Sequence, residues 1–210
     1  MIKLNTKNVF FTSDTHYAHR NICRGVSNWG TTDENGVFHV DVNATRDFAN
    51  LIEMNDALVD RINSKVGADD WLIHTGDWSF GGQDKIKEFR DRIICKNIIL
   101  VYGNHDTTIA RNRFGEQSLF KNCSDYLELQ VMGEHRFVIF HYPIESWNDM
   151  RHGSIMLQGH RHLKGDARFS QGKRMDIGAC GNDLYPYSLE EILDIMKDRK
   201  FEPLTGDHHK

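Results

Sequence analysis

Residues 9–16 read Val9-Phe10-Phe11-Thr12-Ser13-Asp14-Thr15-His16, an apolar run that turns abruptly polar. The apolar half is typical of a buried β-strand, and the polar half is typical of the loop that follows a strand. Loops at strand ends often carry functional side chains, because the strand holds them in place while the loop leaves them accessible. We therefore expect Asp14 and His16 at the carboxyl end of a strand, in a loop that can turn both onto one ion.

Two later apolar segments show the same change. Trp71–His74 is followed by Gly76-Asp77, and segment 98–102 is followed by Gly103-Asn104-His105-Asp106. Both apolar segments are short and bounded by glycine, which predicts strands that end in polar loops. A carboxylate such as that of Asp77 has two oxygens and can bridge two metal ions about 4 Å apart.

Helical patterns separate these strands. In segments 45–64 and 86–93, apolar residues recur at three- and four-residue spacing, as on the buried face of a helix. The order strand, helix, strand, helix, strand is typical of an α/β domain. Near the end of the chain, Ser188 and Glu191 have the spacing of a capping box, which predicts a closing helix.

The second half of the chain has the pattern of shorter strands. Segments 126–132 and 136–140 predict a hairpin that turns at Gly133-Glu134. Segments 154–158 and 174–179 predict two further strands. Neighbouring short strands of this kind favour antiparallel pairing.

The length of 210 residues predicts one domain over residues 1–204, with a polar tail at 205–210 that we expect to be disordered. The formal net charge of −4 gives no overall basic surface, so long nucleic acid is a less expected partner. No apolar run reaches the roughly 18 residues of a membrane span, and no signal peptide is recognised, so we expect a cytoplasmic protein. The 4 cysteines are scattered, which predicts reduced and mostly packed thiols.

Segment 23–44 is irregular and rich in Gly, Asn, Thr and Asp. It is longer than most connections in compact domains, which favours a functional role, and we interpret it as a lid or specificity loop. Trp29 and Phe38 lie in this segment. Loop aromatics of this kind either stack on a nucleobase or anchor the loop to the protein body.

Histidine is unusually frequent, at 12 of 210 residues, and most histidines lie beside Asp, Asn or Gly. His141 ends an apolar run, and Gly159-His160-Arg161-His162 follows another. Together with Asp14, His16 and Asp77, these residues offer carboxylate oxygens and imidazole nitrogens, which suit Mn²⁺, Fe or Zn²⁺. Each motif alone is also compatible with an ordinary turn or a packed histidine, and we interpret His74 as packed. Their combination at successive strand ends predicts a metal site.

The order of the motifs D-x-H, G-D, G-N-H-D, H and G-H-x-H, from Asp14 to His162, resembles the calcineurin-like metallophosphoesterases. The segment 13–22 is similar to the small single-domain bacterial and phage members of that superfamily. Trp78-Ser79-Phe80-Gly81-Gly82 follows Asp77, where the serine/threonine protein phosphatases carry an acidic-arginine-glycine run. This departure argues against a protein phosphatase.

The resemblance implies a four-layer α/β/β/α sandwich, in which two mixed β-sheets are flanked by helices. It also implies two divalent transition-metal ions that share Asp77. Manganese is the expected metal, and iron, zinc and nickel are the alternatives. One ion would be held by Asp14, His16, Asp77 and His162, and the other by Asp77, Asn104, His141 and His160.

The implied reaction is attack on phosphorus by a hydroxide that bridges the two ions. His105 would face the leaving group and protonate it, and Asp106 would hold the ring of His105. Three residues lie beside the metal motifs and either bind further phosphate oxygens or are solvated loop residues: His19, Arg20 and Arg161.

The sequence thus predicts a metal-dependent hydrolase of small phosphate esters, either a phosphodiesterase or a phosphomonoesterase (phosphatase), with nucleotide-like substrates favoured. A non-catalytic metal-binding scaffold on the same fold is one alternative, and the intact set of ligands argues against it. A nuclease acting on single-stranded ends is the other alternative, and it would need a basic groove that the net charge does not indicate. No oligomeric state is predicted.

Overall fold

In the computed structural model, which describes residues 1–112, 114–169 and 172–201, the strands form two five-stranded sheets and one small hairpin. In spatial order, sheet I contains β1 (Ile2–Leu4), β8 (Tyr126–Val131), β9 (His135–Phe140), β10 (Ile155–Gln158) and β11 (Arg174–Asp176). Only the pair β8–β9 is antiparallel in this sheet. Sheet I is therefore mixed.

Sheet II carries most of the polar loops predicted above. In spatial order it contains β12 (Tyr187–Ser188), β2 (Val9–Thr12), β5 (Trp71–His74), β6 (Asn97–Val101) and β7 (Asn122–Ser124). The edge strand β12 runs antiparallel to β2, and the other pairs are parallel. The carboxyl ends of β2, β5 and β6 therefore lie side by side at one edge of the sheet.

The remaining strands, β3 (Gly30–Thr32) and β4 (Phe38–Val40), form an antiparallel hairpin within segment 23–44. The α-helices are α1 (Leu51–Lys65), α2 (Gly82–Arg92), α3 (Thr107–Arg111) and α4 (Leu189–Met196). None of the helices in the described ranges is long and apolar enough to cross a membrane.

The core lies between the two sheets, where alternate side chains of both pack face to face. Phe11 on β2 and Phe137 on β9 meet there, with ring centroids 5.1 Å apart. The outer face of sheet II is covered by α1 and α2, whose buried Leu58 and Phe89 belong to one cluster with Leu72 of β5. These layers confirm the predicted arrangement of two mixed sheets with helices.

The outer face of sheet I is covered by a loop. Asn148 donates a hydrogen bond to Glu128 on β8, and Arg174 on β11 donates one to the carbonyl of Ile144. A short 3-10 helix, Met150–His152, follows this loop. Sheet I is therefore contacted here by a loop and a short 3-10 helix, whereas the long helices α1 and α2 pack on sheet II.

The structure corrects the predicted pairing of the last strands of sheet I. The 126–140 hairpin is antiparallel as expected, but β10 pairs in parallel with both β9 and β11. Long connections precede β10 and β11, and such connections allow the chain to cross over and return in the same direction. Closeness in sequence was therefore a poor guide to pairing direction here.

The first helix begins later than predicted. Asn50 caps it by accepting a hydrogen bond from the backbone of Glu53, so α1 starts at Leu51 and not at Thr45. The preceding residues form turns and bends, and Arg46 makes an isolated parallel bridge to Cys23, with its amide donating to the carbonyl of Ile22. The α2 and α4 helices form as predicted, and Ser188 and Glu191 make the capping box. The predicted tail at 205–210 lies outside the described residues.

Candidate metal centre

The D-x-H motif follows β2 and folds back through unusual backbone torsions. Asp14 and His16 have φ angles of 53° and 47°, in the left-handed region that non-glycine residues rarely adopt. Such strain persists where the surroundings fix it, and here the amides of Asp14 and His16 donate to the carbonyls of Gly76 and Asp77. The loop turns both side chains into one site, and His16 Nε2 lies 3.9 Å from Asp14 Oδ1.

Asp77 occupies the middle of the site. Its Oδ2 lies 3.5 Å from Nε2 of His16 and 3.5 Å from Nε2 of His141, while its Oδ1 accepts a hydrogen bond from the amide of His105. The neighbouring glycine makes this position possible, because a Cβ on Gly76 would lie 2.4 Å from the backbone nitrogen of Gly103. One carboxylate therefore faces imidazoles from both sides.

Asn104 and two histidines form the second half of the site. The Oδ1 atom of Asn104 lies 3.0 Å from His141 Nε2 and 3.0 Å from His160 Nδ1. His141 Nδ1 lies 2.7 Å from the carbonyl oxygen of Thr75, which can only accept, so Nδ1 carries the proton. The bare Nε2 of His141 is then free to coordinate a metal.

The G-H-x-H loop approaches from sheet I. His160 and His162 also have positive φ angles, 73° and 51°, and the amide of His160 donates to the carboxylate of Asp14 at 3.0 Å. His162 Nε2 lies 3.6 Å from Asp14 Oδ1 and 3.0 Å from His16 Nε2. All seven predicted ligands thus converge across the edges of the two sheets.

The donor set fits divalent metal ions. Two groups of ligand atoms each lie within 4.8 Å of one another, the first being Asp14, His16 and His162, and the second Asp14, Asp77 and His141. Burial raises the pKa of Asp14 to about 7 and lowers the pKa of His16 well below its ordinary value. A buried carboxylate without a cation is costly, and a neutral imidazole is a good metal ligand, so both shifts favour a bound cation.

His105 lies at the mouth of the site and is exposed. Its ring centroid is 4.6 Å from that of Phe80 and 5.6 Å from that of His16. We predicted that Asp106 holds the ring of His105, and the structure corrects this prediction. The Asp106 carboxylate instead accepts hydrogen bonds from the amides of Asp77, Trp78 and Gly103, at 2.7, 3.0 and 2.8 Å. The Asp106 side chain thus links the loop that carries Asp77 to the loop that carries Asn104.

The site opens into a pocket of about 520 Å³. Of the three predicted substrate-binding residues, His19 and Arg161 line it, whereas Arg20 does not and donates its Nε–H to the carbonyl of Val26. Arg20 is therefore tied to its own loop. His19 stacks on Phe80, with ring centroids 3.7 Å apart.

The two loop aromatics have different environments. Trp29 lines the pocket and meets the ring of His19 edge-on, with centroids 5.3 Å apart. Phe38 is outside the pocket lining, and in the β3–β4 hairpin its ring lies against Gly30. Of the two aromatics, only Trp29 is placed to contact a substrate.

His74 is packed, as predicted, and supports the D-x-H loop from below. The hydroxyl of Thr15 donates to the carbonyl of Trp78 at 2.7 Å, so its oxygen is left to accept the Nε2–H of His74 at 2.8 Å. Burial lowers the pKa of His74 to about 3, which keeps the ring neutral.

Sequence reasoning missed two residues next to the ligands, Arg46 and Cys180. Arg46 is buried although it is charged, and its guanidinium donates to the backbone carbonyls of Asp14 and Thr15. Burial opposes ionisation of the Cys180 thiol, but Arg46 and His162 lower its pKa to about 6. All four cysteines are free thiols. No spacing or motif marked these two residues.

Comparisons with known proteins agree with this arrangement. Residues 7–197 match the family described as calcineurin-like phosphoesterase. MJ1445, an uncharacterized protein of Methanocaldococcus jannaschii, is 24% identical over 210 residues, which is 97% of this chain and 99% of that protein.

A solved structure shows the same fold. The protein of unknown function AQ665 from Aquifex aeolicus superimposes with a TM-score of 0.62 at 21% identity, over 89% of this chain and 98% of that one. The family match extends over most of the sequence and includes every residue of the candidate metal centre. The chain therefore belongs to the calcineurin-like phosphoesterase family and is a metal-dependent phosphoric ester hydrolase.

Proposed function

We propose that this protein hydrolyses small phosphate esters with two divalent metal ions, and that nucleotide-like esters are its favoured substrates. The observation that carries the proposal is the position of Asp77, whose Oδ2 is 3.5 Å from both His16 Nε2 and His141 Nε2. His16 belongs to one group of candidate ligands and His141 to the other, so this carboxylate lies between the two groups. This is the arrangement that a two-metal hydrolase needs.

When bound, the two ions would activate a water molecule and neutralise charge on the phosphoryl oxygens. Manganese is the metal we expect, with iron, zinc or nickel as alternatives. The residues of the chain supply the rest. The metal ligands would hold the ions in place, and His105 at the mouth of the site donates a proton to the departing oxygen.

The pocket lining supports a nucleotide-like substrate. Ile22 and Trp29 contribute apolar and aromatic surface, and Arg161 and Lys164 contribute positive charge. An aromatic surface can stack on a planar base, and an arginine can bind phosphate oxygens in a bidentate manner. A planar group joined to phosphate matches both kinds of lining residue.

The proposal also includes a cytoplasmic location. Its support is the presence of four free thiols, because disulfides are rare in reducing compartments.

The test is a hydrolysis assay with added Mn²⁺ that compares a nitrophenyl phosphomonoester with the bis-nitrophenyl diester. Asp77→Asn is the test variant, and Asp69→Asn is the matched control, because Asp69 is an exposed carboxylate that forms an ion pair with Lys96. We expect the wild type and Asp69→Asn to be active and Asp77→Asn to lose turnover by about a thousandfold or more.

The relative rates on the two esters then indicate the class of the natural substrate. A diester preference would direct the search to cyclic nucleotides and nucleic-acid ends, and a monoester preference to nucleotides and sugar phosphates. If neither ester is hydrolysed with Mn²⁺, Ni²⁺, Zn²⁺ or Fe²⁺, the proposed activity is wrong and the chain is better described as a metal-binding scaffold.

A further inference from the structure

Arg46 connects the ligand loop after β2 to a sulfur atom on the far side of the site. Its Nη1 donates to the carbonyl of Thr15 at 2.7 Å, and its Nη2 donates to the carbonyl of Asp14 at 2.6 Å. Its Nε donates to Sγ of Cys180 at 3.4 Å. Only 5% of Arg46 is exposed, so water does not compete for these donors. One side chain thus holds two loops.

Cys180 in turn contacts a predicted metal ligand. Its Sγ lies 3.5 Å from Nδ1 of His162, and the other ring nitrogen, Nε2, faces Asp14 and His16. An imidazole that coordinates a metal through Nε2 carries its proton on Nδ1. The Nδ1–H of His162 therefore points at the sulfur, which receives N–H groups from both the arginine and the histidine.

A second candidate ligand, His141, is also held by a hydrogen bond from its Nδ1–H, but the acceptor is a backbone carbonyl. His141 donates its Nδ1–H to the carbonyl of Thr75 at 2.7 Å, which fixes the orientation of its ring. By contrast, Nδ1 of His16 is buried and has no partner among the described residues. Partners of this kind tune metal ligands, and their loss commonly weakens metal binding by about 10- to 100-fold.

We propose that Arg46 and Cys180 are positioning residues, which join the D-x-H loop to the G-H-x-H loop and hold the ring of His162 for a metal ion. The inference rests on the proposed function to the extent that His162 binds metal there. Cys180 also lines the pocket, but the polar contacts that carry the proposal run from Arg46 and Cys180 to His162 and to the backbone of Asp14 and Thr15, so both residues act through these groups.

The chemistry of the acceptor makes the proposal specific. Serine at position 180 retains an acceptor, but its C–O bond is shorter than a C–S bond, so the oxygen is further from both N–H groups. Alanine offers no acceptor. We therefore expect Cys180→Ser to keep part of the support for the His162 ring and Cys180→Ala to lose all of it.

The test is calorimetric titration of the metal-free full chain with Mn²⁺ alone, for the wild type, Cys180→Ser, Cys180→Ala and Arg46→Lys. Two matched controls lie away from the site: Cys123→Ser changes a half-buried thiol, and Arg90→Lys changes an arginine that also donates to two backbone carbonyls. We expect two Mn²⁺ per wild-type chain. In Cys180→Ala and Arg46→Lys one of them binds about 10- to 100-fold more weakly, while Cys180→Ser is intermediate and the controls are unchanged.

A second measurement needs no variant. Long-range ¹H–¹⁵N correlation spectra of the wild type loaded with diamagnetic Zn²⁺ report the tautomer of His162, and the proposal requires the proton on Nδ1. A proton on Nε2 would overturn the proposal, as would wild-type affinity at both sites in Cys180→Ala.

These outcomes are separable from the fate of the proposed function. If metal binding depends on Cys180 but no ester is hydrolysed, the proposed function is wrong and the positioning role stands. If esters are hydrolysed and neither hydrolysis nor metal binding changes in the Cys180 and Arg46 variants, the positioning role is wrong and the proposed function stands. A wild type that binds no Mn²⁺ would overturn both.

Discussion

Two ligand pairs in this protein share one spacing and one backbone conformation but differ in their surroundings. Asp14 and His16 follow β2, His160 and His162 follow β10, and all four residues have positive φ angles. The first pair is almost fully buried, with 0% and 3% exposure, whereas His160 is exposed and the side chain of His162 is 30% exposed.

The two pairs also differ in what holds them. The first pair is held through its own backbone, because the amides of Asp14 and His16 donate to the neighbouring loop at Gly76 and Asp77 and the carbonyl of Asp14 accepts from the buried Arg46. The second pair depends on side chains from elsewhere, namely the Asp14 carboxylate and Cys180. Similar local geometry is thus reached with a rigid support in one case and an adjustable one in the other.

The largest expected effect tests this asymmetry directly. Asp14→Asn removes the charge on which both metal-ligand groups depend, so we expect kcat/KM to fall by about a thousandfold. His160→Gln changes the exposed pair, and we expect a loss nearer a hundredfold. Steady-state hydrolysis with Mn²⁺ measures both, and equal losses would mean that the two pairs are equivalent.

His105 belongs to neither pair and should separate catalysis from metal binding. His105→Ala removes the proposed proton donor, so turnover should fall by about a hundredfold on alkyl phosphates and much less on nitrophenyl esters, whose leaving groups need no proton. Mn²⁺ affinity should not change. His152→Ala, at an exposed histidine outside the site, is the control. A loss that is the same for both classes of ester would refute the general-acid role.

The middle residues of D-x-H and G-H-x-H, Thr15 and Arg161, also differ in their surroundings. Thr15 is buried against His74, and this histidine makes the stability of the fold sensitive to acid. Thr15 accepts a hydrogen bond from His74, whose pKa is lowered by burial to about 3. An unfolded histidine titrates near 6.5, so the unfolded state binds the extra proton between pH 6.5 and 3, and stability falls as the pH drops through that range. At pH 4.5 the cost is about 2–3 kcal/mol.

His74→Gln should remove that cost while keeping a donor for Thr15. Urea unfolding of the metal-free protein at pH 7.0 and pH 4.5 measures the free energy of unfolding of the wild type and of the variant. Between the two pH values, the wild type should lose about 2–3 kcal/mol more than His74→Gln. If the two proteins lose the same amount, another group causes the acid sensitivity.

The smallest expected effect concerns Arg161, the middle residue of the second motif, which is exposed in the pocket. Arg161→Gln should raise KM about tenfold on a nucleotide substrate and leave kcat nearly unchanged, because an arginine that binds the substrate throughout contributes to both the ground state and the transition state. Arg151→Gln, at an exposed arginine outside the pocket, is the control. A change confined to kcat would place Arg161 among the catalytic residues.

Much of the candidate site was accessible from the sequence because each ligand motif ends an apolar strand. The abrupt change from Phe11 to Asp14 located a sheet edge, and parallel neighbours then placed Asp77 and Asn104 beside it. Other features were not accessible, because they depend on the direction of side chains. Asp106 follows His105 directly in the chain, yet its carboxylate turns to three backbone amides.

Arg46 and Cys180 show a second reason for such failures. They are 134 positions apart, and only the packed fold brings them together. The apolar periodicity of segment 45–64 predicted a helix over Arg46, whereas the Asn50 cap starts the helix later and leaves Arg46 free to reach the ligand loop. The parallel pairing of β10 and β11 was missed for a related reason, since it is set by crossover connections and not by local pattern.

The wide spread of the ligands along the chain has a consequence for biosynthesis. The first ligand is Asp14 and the last is His162, so on the ribosome the group of Asp14, Asp77 and His141 is complete once residue 141 has been made, and the group of Asp14, His16 and His162 only at residue 162. Sheet II can begin to form earlier, from segments that end at Ser124. Most strands of sheet II are therefore synthesised before either group of metal ligands is complete.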